Sequence, residues 1–167
     1  MPADHGFLNQ ESQELHLDDS ASLRLYARIP RTRVLGPFVR YGLWVQGCPF
    51  RCPGCMTPDA LAFTGGEEIA IAGLVSQILA IDEIEGLSVS GGEPFAQAAA
   101  LALLMRQLRS QRDLGLILYS GYRWRDLQRQ ARLDPGVALV DSRARGRFQR
   151  AGKRGWATIE RPSANAR

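Results

Sequence analysis

Leu87-Ser88-Val89-Ser90-Gly91-Gly92-Glu93-Pro94, then an amphipathic run from Phe95 to Gln111, then Leu116-Ile117-Leu118-Tyr119, is the stretch from which the fold can be read. The two short segments at its ends have the length and composition of buried strands. The run between them, rich in alanine and leucine, reads as a helix. A strand, a covering helix and a second strand imply a crossover that sets the strands parallel, which places the chain in the α/β class. Gly91 and Gly92 let another backbone or a ligand come close, and Pro94 suits the first turn of a helix.

The same alternation extends in both directions. Downstream, a helix is expected at about Trp124–Arg132 and a strand at Val137–Val140. Upstream, a helix is expected from about Glu67 to Ile81, its first turn favoured by Glu67 and Glu68 through the helix dipole rather than by any acid-pair chemistry. Before it, Tyr41–Gln46 reads as a strand running into a loop in which Pro49, Pro53, Gly54 and Pro58 exclude regular structure. Leu23, Leu25, Ala27 and Ile29 alternate with Arg24, Tyr26 and Arg28, a half-exposed strand expected at a sheet edge and bounded by Pro30. Trp44, on an apolar strand, is expected in the core. In parallel sheets, function gathers at the carboxyl ends of the strands. Three loops emerge there, at Cys48–Cys55, Gly91–Pro94 and Ser120–Tyr122.

A chain of 167 residues fits one globular domain and buries enough surface to fold without a metal or disulfide. Its apolar stretches are too short for a membrane span, and its start lacks the basic and apolar regions of a secretory signal, so a cytoplasmic location is expected. The net charge of +4 is unevenly spread. Residues 1–142 carry 13 basic against 16 acidic side chains, whereas 143–167 carry 8 against 1. Residues 1–21, polar and acidic, are expected to be loosely ordered, 22–142 to form the core domain, and 143–167 to form a basic tail. A nucleic-acid function would rest on that tail alone, without base-reading chemistry, and is not favoured.

All three cysteines fall in Gly47-Cys48-Pro49-Phe50-Arg51-Cys52-Pro53-Gly54-Cys55, too close together for a disulfide framework. Three thiolates on one loop suit zinc, copper or an iron–sulfur centre. A structural zinc site calls for a fourth ligand, and His5 and His16 lie far away in the polar N-terminal segment. Three ligands on a four-iron cluster would leave one iron open to a small molecule, unlike an electron-carrying cluster held by four cysteines. No Ser/His/Asp constellation, P-loop or dinucleotide fingerprint is present.

Taken together, C-x3-C-x2-C after one strand and Gly91-Gly92-Glu93-Pro94 after the next resemble the radical S-adenosylmethionine superfamily. The likeness is closer to the small activases of anaerobic ribonucleotide reductase and, more loosely, of pyruvate formate-lyase. Gly36-Pro37-Phe38-Val39-Arg40-Tyr41-Gly42-Leu43-Trp44-Val45-Gln46-Gly47 resembles their approach to the cluster. Gly91 to Gln97 and Tyr119 to Leu127 resemble their second and third loops. Met56 and Thr57 stand where those activases usually carry His-Asn. The resemblance implies an incomplete (βα) barrel with a curved parallel sheet. It implies a [4Fe-4S] cluster on Cys48, Cys52 and Cys55, and S-adenosylmethionine lined by Gly91, Gly92, Glu93 and Pro94 and, on the third loop, by Tyr119 and Ser120. The implied partners are a protein substrate such as a glycyl radical enzyme and a reductant such as flavodoxin or ferredoxin. Two other readings stand beside it: radical modification of a different peptide or protein, and a non-catalytic iron–sulfur or zinc module with a basic docking tail.

Overall fold

The computed structural model describes residues 21–130 and the backbone of two further strands at 147–151 and 155–159. In chain order the elements are β1 (Ser22–Thr32), β2 (Arg40–Val45), β3 (Glu67–Ala70), α1 (Ile71–Leu79), β4 (Gly86–Gly91), α2 (Ala98–Arg109), β5 (Gly115–Ser120), α3 (Trp124–Gln130), β6 (Arg147–Ala151) and β7 (Gly155–Ile159). One open sheet holds all the described strands in the order β3-β1-β2-β4-β5-β7-β6. The chain is therefore α/β, but the sheet is mixed rather than wholly parallel. β2, β4 and β5 run parallel, β1 and β7 pair antiparallel with β2 and β5, and β3 and β6 pair antiparallel with β1 and β7 in turn. Connection length is the reason: the short links from β1 to β2 and from β6 to β7 cannot carry a crossover helix, so each makes an antiparallel return.

The parallel centre bears out the reading of the Leu87–Tyr119 stretch. Leu43, Val45, Leu87, Val89, Leu116 and Leu118 are buried in one continuous core with Ile71, Leu74, Val75 and Ile78 of α1 and Leu101, Leu104, Met105 and Leu108 of α2. The α1 residues recur at i, i+3, i+4 and i+7, one apolar stripe of a helix laid on the sheet. Strand alternation sends Gly42, Trp44, Ser88, Ser90, Ile117 and Tyr119 to the opposite face. Trp44 is half-buried there, outside the core cluster, which corrects its expected core placement.

Further expectations change. Glu67 and Glu68 begin a strand, not a helix, because ion pairs to Arg28 and Arg24 hold them across from β1, and α1 starts only at Ile71. That strand pairs with β1 only over Ser22–Leu25, so β1 is covered there and lies at the sheet edge over the rest of its length. β1 also continues past Pro30, which falls where the β1–β2 register slips between Ile29 and Thr32, a place that tolerates a residue without an N–H. The helix expected from Phe95 begins as a 3-10 turn over Pro94–Gln97 before α2. Residues 143–167, read as a basic tail, contribute β6 and β7, and β7 pairs with β5. The strand expected at Val137–Val140, and residues 1–20, lie outside the described residues.

At the amino end of the parallel strands a buried arginine organises the sheet. Arg40 is 2% exposed, and among the described residues its guanidinium has no carboxylate partner in contact. Its Nε donates to Ser88 Oγ at 2.7 Å, and its Nη2 donates to the carbonyls of Leu87 at 2.6 Å and Gly115 at 2.9 Å. Ser88 Oγ in turn donates to the Leu35 carbonyl at 2.6 Å, which seats the β1–β2 link on the helix-free face. Burial pulls the guanidinium below its ordinary value, with Tyr119 and Glu85 pushing back, yet an arginine remains charged. Replacing Arg40 by lysine keeps the charge but removes the planar fork, leaving buried carbonyls without donors. A denaturation midpoint should register a loss of about 2 kcal/mol for Arg40→Lys. Arg31→Lys, at an exposed pair with Glu83, should cost less than about 0.5 kcal/mol.

Candidate functional site

The three loops expected to converge do so through main-chain contacts. The N–H of Gly92 donates to the Val45 carbonyl at 2.8 Å and that of Glu93 to the Gly47 carbonyl at 2.9 Å, fastening the turn after β4 to the start of the cysteine loop. No side chain fits between them. A β-carbon on Gly92 would run into the Gly47 carbonyl and stand 2.9 Å from the Ala60 carbonyl oxygen. Gly91, at φ 96°, lies against the backbone of Val45 and Trp44, and Thr57 Oγ1 donates to its carbonyl at 3.2 Å.

The far side of the cysteine loop is closed by its own return. Gly47 N–H donates to the Ala60 carbonyl at 2.9 Å and Cys48 N–H to the Leu61 carbonyl at 3.1 Å. Gln46, buried beneath them, donates its side-chain amide to the carbonyls of Asp59 and Ala62 at 3.1 and 2.7 Å. Gln97 braces the neighbouring strands in the same way. Its amide accepts from Arg24 N–H and donates to the carbonyls of Arg24 and Gln46, standing in for a stretch of sheet between β1 and β2. Sequence spacing singles out neither glutamine. A polar residue directly before the loop glycine, and another at the end of the Gly91–Gln97 turn, are the available signals.

Cys48, Cys52 and Cys55 are all free thiols, Cys52 exposed and the others half-buried. Burial pushes the Cys48 thiol up; a Phe50 backbone hydrogen bond pulls it down, and the negative charges of Glu93, Cys52 and Cys55 add to the rise. Three mutually repelling thiolates on one loop therefore gain from a cationic centre between them. Among the described residues no three His, Cys, Asp or Glu side chains are gathered tightly enough to grip one ion. Three soft thiolates on one short loop are the donor set of a cluster that keeps one metal position open, whereas a closed structural zinc site calls for four ligands. Gly54, at φ 70° with open space around it, lets the loop turn between Cys52 and Cys55.

Glu93 is 1% exposed and its carboxylate is already occupied. It accepts from Phe95 N–H at 3.0 Å, from Ser120 Oγ at 2.9 Å and from Gly121 N–H at 2.8 Å. Burial pushes its carboxyl up, and those hydrogen bonds pull it back. Of the residues expected to line a cofactor, Glu93 and Ser120 thus spend their side chains on each other, and Pro94 is buried. Gly91, Gly92 and Tyr119 are partly exposed. The third loop meets the first at Phe50, whose ring lies edge-on to Tyr122 with centroids 4.8 Å apart. No helix among the described residues is long and apolar enough to cross a membrane.

Comparison with known proteins bears on this arrangement. The 4Fe-4S single cluster domain family matches residues 34–166. A pyruvate formate-lyase-activating enzyme of Staphylococcus epidermidis is 35% identical over 81 residues, 45% of this chain and 32% of that protein. A Haemophilus influenzae protein named as a putative glycyl-radical enzyme activating enzyme is 34% identical over 98 residues, 57% of this chain and 36% of its own length. This chain thus spans about a third of the length of the relatives it matches.

The contrast between two glycines tests the site's construction. Gly92→Ala forces backbone apart and should cost about 3 kcal/mol in a denaturant titration. Gly54→Ala meets only its left-handed backbone and should cost about 1 kcal/mol.

Proposed function

The chain belongs to the 4Fe-4S single cluster domain family, and from that membership we propose that its sheet and covering helices form a radical S-adenosylmethionine core of incomplete (βα) barrel type that activates a glycyl radical enzyme. The observation that carries this reading is the fastening of a three-thiol loop, through Gly47, to the Gly91–Pro94 turn at the carboxyl ends of adjacent parallel strands. Cys48, Cys52 and Cys55 would hold the cluster. The backbone of Gly91, Gly92 and Glu93 and the partly exposed Tyr119 would face S-adenosylmethionine. When bound, and given one electron by an external reductant such as flavodoxin or ferredoxin, the pair would supply radical chemistry able to take a hydrogen atom from a partner's glycine.

The chain's own residues then orient and shield. Gln46 and the hydrogen bonds to Ala60 and Leu61 fix where the cysteine loop begins and returns. Phe50 and Tyr122 form an apolar wall on one side of the cleft, limiting the access of water to whatever lies between the loops. Exposed Met56, directly after Cys55, and exposed Phe63, whose ring covers Gly47, offer apolar contacts on the cysteine loop's outer side to a protein substrate. The radical reading also fits the relatives, which are named for activating pyruvate formate-lyase and glycyl-radical enzymes.

The test is anaerobic. After reconstitution with iron and sulfide, reduction by dithionite and addition of S-adenosylmethionine, wild-type protein should form 5′-deoxyadenosine while Cys52→Ala stays at background. Absence of product from a verified four-iron preparation would overturn the enzymatic reading. Cleavage that proceeds without radical transfer to any glycyl radical enzyme would point to another protein substrate.

A further inference from the structure

The Glu93 carboxylate is buried, and among the described residues no cation touches it. Removing a carboxylate from water is costly, and here the compensation comes from two main-chain N–H groups and one hydroxyl. Such an arrangement does little for stability that an apolar residue could not do, so its geometry is the informative feature. Oε1 accepts from Phe95 N–H, within the residue's own turn, and from Ser120 Oγ. Oε2 accepts from Gly121 N–H. Because the Ser120 hydroxyl donates to Glu93, its lone pairs are free to accept from Tyr122 N–H, as they do at 3.1 Å. One carboxylate therefore holds two successive amides of the third loop, Gly121 directly and Tyr122 through Ser120.

That grip decides where the loop stands relative to the cysteines. Gly121 lies so close to Phe50 that a β-carbon on it would be 3.0 Å from the ring, and Tyr122 meets the same ring edge-on. On its other side, the Glu93 N–H is bonded to the Gly47 carbonyl. We propose that Glu93 is a positioning residue: its main chain grips the cysteine loop and its carboxylate grips the Gly121–Tyr122 turn, so that it sets the Phe50–Tyr122 wall rather than binding a ligand with its side chain. The clamp stands on the structure alone. The consequence for turnover rests on the radical S-adenosylmethionine reading.

Glu93→Gln separates this role from general support. A glutamine oxygen can replace Oε1 for Phe95 and Ser120, but its NH2 then faces the Gly121 N–H, donor against donor. Ser120→Ala does the converse, keeping the Gly121 bond and releasing Tyr122. Residue-resolved amide hydrogen exchange on the full cluster-loaded chain should show Gly121 exchanging at least about tenfold faster in Glu93→Gln, with Phe95 within about twofold of wild type. In Ser120→Ala the faster amide should be Tyr122. Unchanged Gly121 protection, or equal acceleration of Gly121 and Phe95, would overturn the clamp. In S-adenosylmethionine cleavage, Glu93→Gln and Phe50→Ala should be non-additive, the double variant lying within about twofold of the poorer single one. Effects that multiply would show that Glu93 does not act through the wall. A wild type that cleaves nothing would instead remove the radical reading, while the exchange results still judge the clamp.

Discussion

Everything at the carboxyl end of the sheet depends on the contact between Gly92 and Gly47, two backbones pressed together with no side chain between them. Parallel strands bring their ends into register but do not bring the loops beyond them into contact. Here the missing β-carbon at Gly92 allows the turn after β4 to lie against the residue before Cys48, and the hydrogen bond from Glu93 to Gly47 fixes the contact. The thiol loop is thereby referred to a rigid strand at its root, although its cysteines lie among prolines and turns. A site built on a loop gains its accuracy from such an anchor.

The parallel centre of the fold was legible because its signals were local. Leu87–Ser90 and Leu116–Tyr119 are short apolar runs with an amphipathic helix between, and the structure extends each by only a residue or two. Glu67 and Glu68 misled because their partners are distant in sequence: a dipole argument looks along the helix, whereas Arg24 and Arg28 act across a strand pair. Trp44 misled through an assumption that an apolar strand has two equally buried faces. The three thiols and the glycine turn could be found from spacing alone, but Gln46, Gln97 and the inward turn of Glu93 could not. Their roles consist of hydrogen bonds to residues many positions away, which periodicity does not record.

The two buried ionisable side chains at the ends of the sheet follow one pattern. Arg40 lies beneath the start of β4 and Glu93 just past its end, and among the described residues neither is neutralised by an opposite charge in contact. Each is held by backbone groups, carbonyls for Arg40 and amides for Glu93, together with one serine hydroxyl, Ser88 or Ser120. Backbone dipoles are fixed by the fold and cost little to reorganise, so both ends of the parallel strands are tied down by groups that cannot swing away as a surface side chain can. The difference lies in what they secure: Arg40 closes the sheet against its own connecting link, while Glu93 joins the cysteine loop to the third loop.

The coverage of β1 by β3 has an effect on how molecules meet one another. β3 pairs only with Ser22–Leu25, so the remainder of β1 presents its outer side without a partner strand among the described residues, with Tyr26 and Ile29 exposed on it. A bare edge of that kind invites a second chain to add a strand of its own. Pro30 lacks the N–H such an addition would use, the register slip around it bends the strand, and Arg28 and Arg31 are committed to Glu67 and Glu83 nearby. The edge is thereby made a poor template for stacking. A second copy of the chain therefore gains little by adding a strand along this part of β1.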